Sequence, residues 1–453
     1  MKLIKKKKMK TINLFCKSVV ILLFAGLSMN TVVAQTTKKE TVTKVYDISP
    51  SGSLEITSRS ANVEILTWDR NEVKVTGEIT YAGNDNKEEI AKLLNAFKNI
   101  DAESSRNVLN LNLYPIKSSG SYKTLFRKAE NITILNNGDK ILIDANKVKF
   151  TYTIWIPATL NVKADCSFGK LKMATIRGNA DIVVNNNDME MGNFGASGIF
   201  KTRFSSITVG SGGTSNFDVN NGNVNAAELK NVTINARFSN FNIAKAHDVT
   251  IDLNNGTAVF GALNDINAIA RFSTIRIESN ANISKFDFNN SKLFGKNFQT
   301  MDVSARFSNF KASNIGNIKI NSANNSNFDF GTVNTVVSRE SRFSTFEFDE
   351  IVVNASFPDT NNSTVNINRT SDSFTGFSGN FRFGTVNLKI HPGIEYNLNY
   401  DGTFGQLNTI SSDKFKTRLV SEKSGSKTTI QGVNAGAKCN IEIVANNTNC
   451  RIE

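Results

Sequence analysis

The chain has 453 residues, with 53 Lys and Arg against 40 Asp and Glu, a formal charge of +13. Seven of the lysines fall in residues 1–34, which hold no acidic residue, so the remainder carries 46 basic against 40 acidic side chains, a formal +6. That is ordinary surface charge and gives no support to nucleic-acid binding; four widely spaced cysteines without CxxC pairs argue against a disulfide framework or a zinc site.

Residues 1–34 read as an export signal. A Lys-rich leader precedes the apolar run "SVVILLFAGL" (18–27), and Val32 and Ala34 stand at the small-residue positions of a cleavage site, so the mature chain is expected to begin near Gln35. The apolar run is too short for a stable membrane anchor, and no second run of about 18 apolar residues follows it. Cys16 belongs to the signal, leaving Cys166, Cys439 and Cys450; the last two could pair in an oxidising compartment, or all three are small buried thiols. Residues 35–43 are expected to form a short flexible linker.

Residues 44–160 form an N-terminal β region. Segments such as "LEITS", "ANVEILTW" and "NEVKVTGEITY" alternate apolar and polar residues, the period of a half-buried strand. One segment differs. Ile90, Leu93, Leu94 and Phe97 fall at helical spacing, and Asp85 with Glu88 makes a capping box, so a single helix is expected at about 86–99.

From 161 to 453 a repeat takes over and ends in a C-terminal cap. "ARFSNF" occupies 236–241 and returns at 305–310, with "TRFSSI" at 202, "ARFSTI" at 270 and "SRFSTF" at 341. Between these lie Asn-led versions such as "NGNVNA" at 221 and "NSNFDF" at 325, so each repeat of about 34–36 residues is two half-repeats of about 17–18 residues. The Phe/Asn alternation lapses at the last step, where Phe404 follows Phe383. A unit that small cannot bury a core alone and must stack on its neighbours. The expected fold is therefore all-β, a parallel β-solenoid. Phe241, Ile243, Phe346 and Phe348 should point inward, with Asn242 and Glu347 outward. Gly, Ser and Asn are expected at the sharp bends, and like side chains at one corner to stack as Phe columns and Asn ladders. Two strands per half-repeat are favoured, but whether one rung holds about 17 or about 34 residues stays open.

Six arginines, Arg203, Arg237, Arg271, Arg306, Arg342 and Arg382, recur once per long repeat, each directly before a Phe. In a stack they would form a cationic stripe able to hold acidic glycans or other envelope polyanions. Alternatively, each guanidinium covers a neighbouring Phe or pairs with a carboxylate as a structural corner. Catalysis is not expected. The acids Asp218, Asp252, Asp287, Asp329 and Glu347 are scattered singly, His247 and His391 sit far apart in turn-like contexts, and no hydrolase, metalloprotease or phosphate-loop motif occurs. No cofactor or metal is called for.

The segments 54–79 and 150–173, the helix between them and the Asn-Gly-led turns running to "NTNCRIE" resemble the adhesin-like proteins of bacterial envelopes that include the head GIN auto-transporter group of Bacteroidetes. Phe-Ser replaces the family's usual Asn-Gly, and Asn449-Cys450 is a further departure. The resemblance implies a β-solenoid set in the periplasm, on the outer cell surface or outside the cell. The expected function is that of an exported, non-catalytic interaction surface for an envelope or extracellular polysaccharide or a surface protein. A polysaccharide-degrading β-helix enzyme and a purely structural envelope protein are the alternatives.

Overall fold

The computed structural model describes residues 37–83, 86–122, 130–409 and 415–453. The export signal read over 1–34, Cys16 and Asp85 all lie outside the described residues. The chain divides into two compact units: Met1–Val42, Gly77–Asn99 and Pro115–Phe150 form one, and Thr43–Thr76, Ile100–Tyr114 and Thr151–Glu453 the other. A strand at Thr37–Asp47 covers most of the segment read as a linker.

The smaller unit contains the helix, which runs Lys87–Lys98. Asn86 caps it, its side chain accepting from the Glu88 N–H at 3.0 Å, in the role the sequence assigned to Asp85. Glu88 and Glu89 in the first turn and Lys98 in the last complement the helix dipole. Ile90, Leu93, Ala96 and Phe97 are buried, and the Phe97 ring stacks on Phe150 at 6.1 Å. Ile116–Tyr122, Glu130–Leu135 and Lys140–Ile141 make a three-stranded antiparallel sheet in the same unit.

The larger unit is a parallel β-solenoid. Val162 faces Ala180, Ala180 faces Gly198, Ser215 faces Val232 and Val232 faces Val249, so one rung is a single half-repeat and Phe-led rungs lie on Asn-led ones. Each winding turns three corners. Along Asn223–Arg237 and on to Phe238 the alternation slips wherever two neighbours face out together: Ala227 with Glu228, Lys230 with Asn231, Arg237 with Phe238. Between the corners Val224, Ala226, Leu229, Val232, Ile234 and Ala236 are buried. A winding this short encloses a channel narrow enough to fill at native density. Phe310, Phe328 and Phe346 stack inside it on consecutive rungs, with ring centroids 5.2 and 4.9 Å apart. Where rings crowd, glycine makes room: a Cβ on Gly379 would lie 2.2 Å from the Phe381 ring.

Stacking order departs from chain order at both ends. Ser53–Arg59 pairs parallel with Val108–Leu113 on one side and Asn161–Ser167 on the other. At the far end Gly376–Arg382 pairs with Cys439–Asn446, and only then comes Tyr396–Thr403. Asn449–Ile452 is likewise held between Thr385–Leu388 and Gln406–Thr409. The chain skips one rung and builds the next. It then closes that edge with the antiparallel hairpin Arg418–Ser424 and Lys427–Val433, and returns to fill the gap with its last residues.

Candidate functional site

One of the three corners is made by a left-handed residue, and among the described residues every non-glycine with positive φ sits there: eight Phe, seven Asn and Ser60, with φ between 49° and 58°. The bend therefore falls on the leading residue: on Asn, as expected, and on Phe, which was not, while the Ser that follows is not the bend residue it was expected to be. That Ser is buried and ties rungs together. Ser239 Oγ donates to Arg237 O at 2.6 Å and accepts from Gly222 N of the adjacent rung at 3.2 Å. Ser273 and Ser308 repeat the arrangement.

The corner side chains stand outward. Phe168, Phe204, Phe238, Phe272, Phe307, Phe343, Phe383 and Phe404 are 53–69% exposed. In space they alternate with Asn on every rung, so like side chains are separated by two rungs, about 9.6 Å at a ~4.8 Å strand spacing. The expected like-on-like columns do not form at this corner. The lapse between Phe383 and Phe404 disappears as well, because Asn447 of the inserted rung lies between them: Phe383 N donates to Asn446 O and Asn447 N to Thr403 O.

All six arginines stand in one column beside this ridge, separated by Asn220, Asn254, Asn289, Asn324 and Asn361. In the Asn-led rungs the two asparagines bond to each other, Asn255 Nδ2 to Asn254 Oδ1 and Asn325 Nδ2 to Asn324 Oδ1, both at 2.7 Å. Three arginines are paired: Arg271 with Asp252 at 3.2 Å, Arg342 with Glu340 at 2.9 Å and Arg382 with Asp359 at 2.7 Å. These pairs are exposed and contribute little to stability. Arg203, Arg237 and Arg306 have no carboxylate within 4 Å among the described residues. Among the described residues none of the six lies over a ring; the guanidinium–aromatic contacts join Arg59 to Tyr114, Arg70 to Trp68 and Arg276 to Phe294. The structural-corner alternative thus holds for three arginines, through carboxylates only. Beside them runs a groove of about 440 Å³ whose lining includes Arg271, Asp287, Ser304, Arg306, Ser322, Glu340 and Arg342.

His247 stands with Asp248 at the corner that Lys230 and Asn231 make one rung below, and is exposed; His391 is in a loop, its Nδ1 accepting from Gly393 N, so both sit in turn-like positions as expected. Cys166, Cys439 and Cys450 are buried free thiols. Burial pushes Cys166 and Cys450 up to about 12 and Cys439 to about 11. Among the described residues no three His, Cys, Asp or Glu side chains gather as a metal site, and no helix is long and apolar enough to cross a membrane.

The arginines are legible in the sequence; the ridge is not, because the leading Phe reads there as part of the stack. The signal was present: a position filled alternately by Phe and Asn accepts a polar side chain and so faces water.

No family model matches the chain, and no curated protein matches it. Among solved structures it is similar to a "putative cell adhesion protein" from Clostridium sporogenes, at 11% identity over 92% of this chain and 99% of that one, with a TM-score of 0.15.

Proposed function

We propose that this chain is an exported, non-catalytic protein of the bacterial envelope, of the adhesin-like kind, whose lengthwise corner is an interaction surface for an extended envelope or extracellular polymer. The observation that carries this reading is the outward ridge of eight Phe with six Arg beside it, repeating at one interval along a stack. A binder of extended chains needs repeated equivalent contacts, which a solenoid supplies. Three carboxylates near the stripe, Asp252, Glu340 and Asp359, are each tied to a different Arg, which supports binding over hydrolysis. The Lys-rich, then apolar composition of residues 1–34 supports export. Cell fractionation with protease shaving tests the reading. The protein is expected in the envelope or the medium; recovery with the cytosol, or shortening of pectin-like or glycosaminoglycan-like chains by the purified protein, would overturn it.

A further inference from the structure

We propose that the ridge and the stripe together form one binding site for an acidic polysaccharide whose anionic group recurs once per disaccharide, lying parallel to the stack; this rests on the envelope-binding reading above and names its ligand. Three observations meet here. First, the eight Phe hold a backbone conformation that bulky residues avoid, while the adjacent rungs make the same corner with Asn, which accepts it readily. Nothing in the fold requires Phe at these positions, and strain retained at exposed positions points to use. Second, the rings are 53–69% exposed and spaced two rungs apart, offering apolar faces for the C–H faces of alternate sugar rings. Third, a guanidinium precedes each Phe from Phe204 to Phe383, so cation and ring recur at the same interval of about 9.6 Å. That interval is close to the disaccharide repeat of an extended β-linked chain.

Charge complementarity sets the class of ligand. Arg203, Arg237 and Arg306 are free of carboxylates within 4 Å among the described residues, whereas Arg271, Arg342 and Arg382 are paired. A neutral glycan would leave the cations unused. A polyanion without sugar rings would leave the Phe unused.

The adjacent rungs supply a fold-preserving control. Replacing Arg-Phe by Asn-Asn turns a Phe-led corner into an Asn-led one, whose amides bond to each other as Asn254 and Asn255 do. Two triple variants separate the two contributions: Phe272→Asn/Phe307→Asn/Phe343→Asn, and Arg271→Asn/Arg306→Asn/Arg342→Asn. Each is titrated with hyaluronan, neutral dextran and polyphosphate at low and moderate salt, after circular dichroism and urea unfolding confirm the fold.

The wild-type protein is expected to prefer hyaluronan over dextran. Loss of three rings should weaken hyaluronan binding by at least about tenfold and leave polyphosphate unchanged. Loss of three arginines should weaken both and flatten the salt dependence. Hyaluronan binding within twofold of wild type after the Phe replacements overturns this inference and leaves the envelope-binding reading standing. Wild-type protein that binds none of the probes also overturns this inference, whereas the envelope-binding reading falls only on its own fractionation and chain-shortening results.

Discussion

Ser308 has its side chain wholly buried at the corner, with one hydroxyl serving two rungs: it donates to Arg306 O at 2.7 Å and accepts from Ser291 N at 3.2 Å. Alanine there leaves the Ser291 N–H without its acceptor where water does not reach, a loss of about 1–3 kcal/mol for a buried polar group. Ser308→Ala should therefore lower the urea-unfolding free energy by about 1–2 kcal/mol with little change in slope. Ser308→Thr keeps the hydroxyl and should lose much less. Thr448 already fills the equivalent site, donating to Asn446 O at 3.0 Å and accepting from Gly384 N at 3.3 Å. This role was hidden in the sequence, where Ser beside a turn reads as a bend residue. A Ser hydroxyl suits a turn and an inter-rung bridge equally well, and only the rung below decides between them.

At the scale of elements, the inserted rung Cys439–Ile452 is the part least legible beforehand. The alternating period fixed the strands, their inward residues and the parallel stacking, because so short a half-repeat leaves little choice about which face is apolar. Periodicity carries no information about which rung neighbours which when the chain leaves the stack and returns. Gly376–Arg382 finds its partner in Cys439–Asn446 only after three further strands and a hairpin have been laid down, and Tyr396–Thr403 meets that same strand from the other side. The broken alternation at Phe404 was the trace of that excursion, with Asn447 as the missing member. Deleting residues 435–453 would leave an empty slot between Gly376–Arg382 and Tyr396–Thr403, with two unpaired strand edges facing it. Subtilisin is expected to cut the truncated protein within about residues 390–434 while the rungs before Gly376 stay protected, since each rung depends mainly on its neighbours. A synthetic peptide of residues 436–453 should restore protection. Equal resistance of truncated and full-length protein would show that the slot closes without its last strand.

Across the whole chain, the composition of the core divides the stack into regions of different response to pH. All seven Tyr and every Cys lie outside residues 167–395, so the middle rungs are filled by Phe and aliphatic side chains that do not titrate. The two ends of the larger unit differ. Burial pushes Cys166 up to about 12 and Tyr152 above its ordinary range at one end. At the other, the last two rungs hold Cys439 at about 11 with Cys450, Tyr396 and Tyr400 at about 12; burial is the main cause, and each tyrosine is raised further by the thiol beside it. In each case the folded state favours the neutral form more strongly than the unfolded chain does. Their stabilising contribution is therefore complete below the unfolded value of about 9 for the thiols and is lost as pH rises towards 12. For Cys166 alone the full loss is on the order of 4 kcal/mol at ~1.4 kcal/mol per pH unit. Because rungs are coupled mainly to their neighbours, that loss should stay local and not unfold the stack at once. Digestion with subtilisin at pH 8 should leave both ends intact, whereas at about pH 10.5 it should trim inward from each and stop at a resistant fragment within about residues 200–380. Cys439→Ala/Cys450→Ala removes two of the titrating groups, and it should move trimming at the C-terminal end to higher pH while leaving the other end unchanged. Simultaneous loss of all protection at one pH would show instead that the stack unfolds as a single cooperative body.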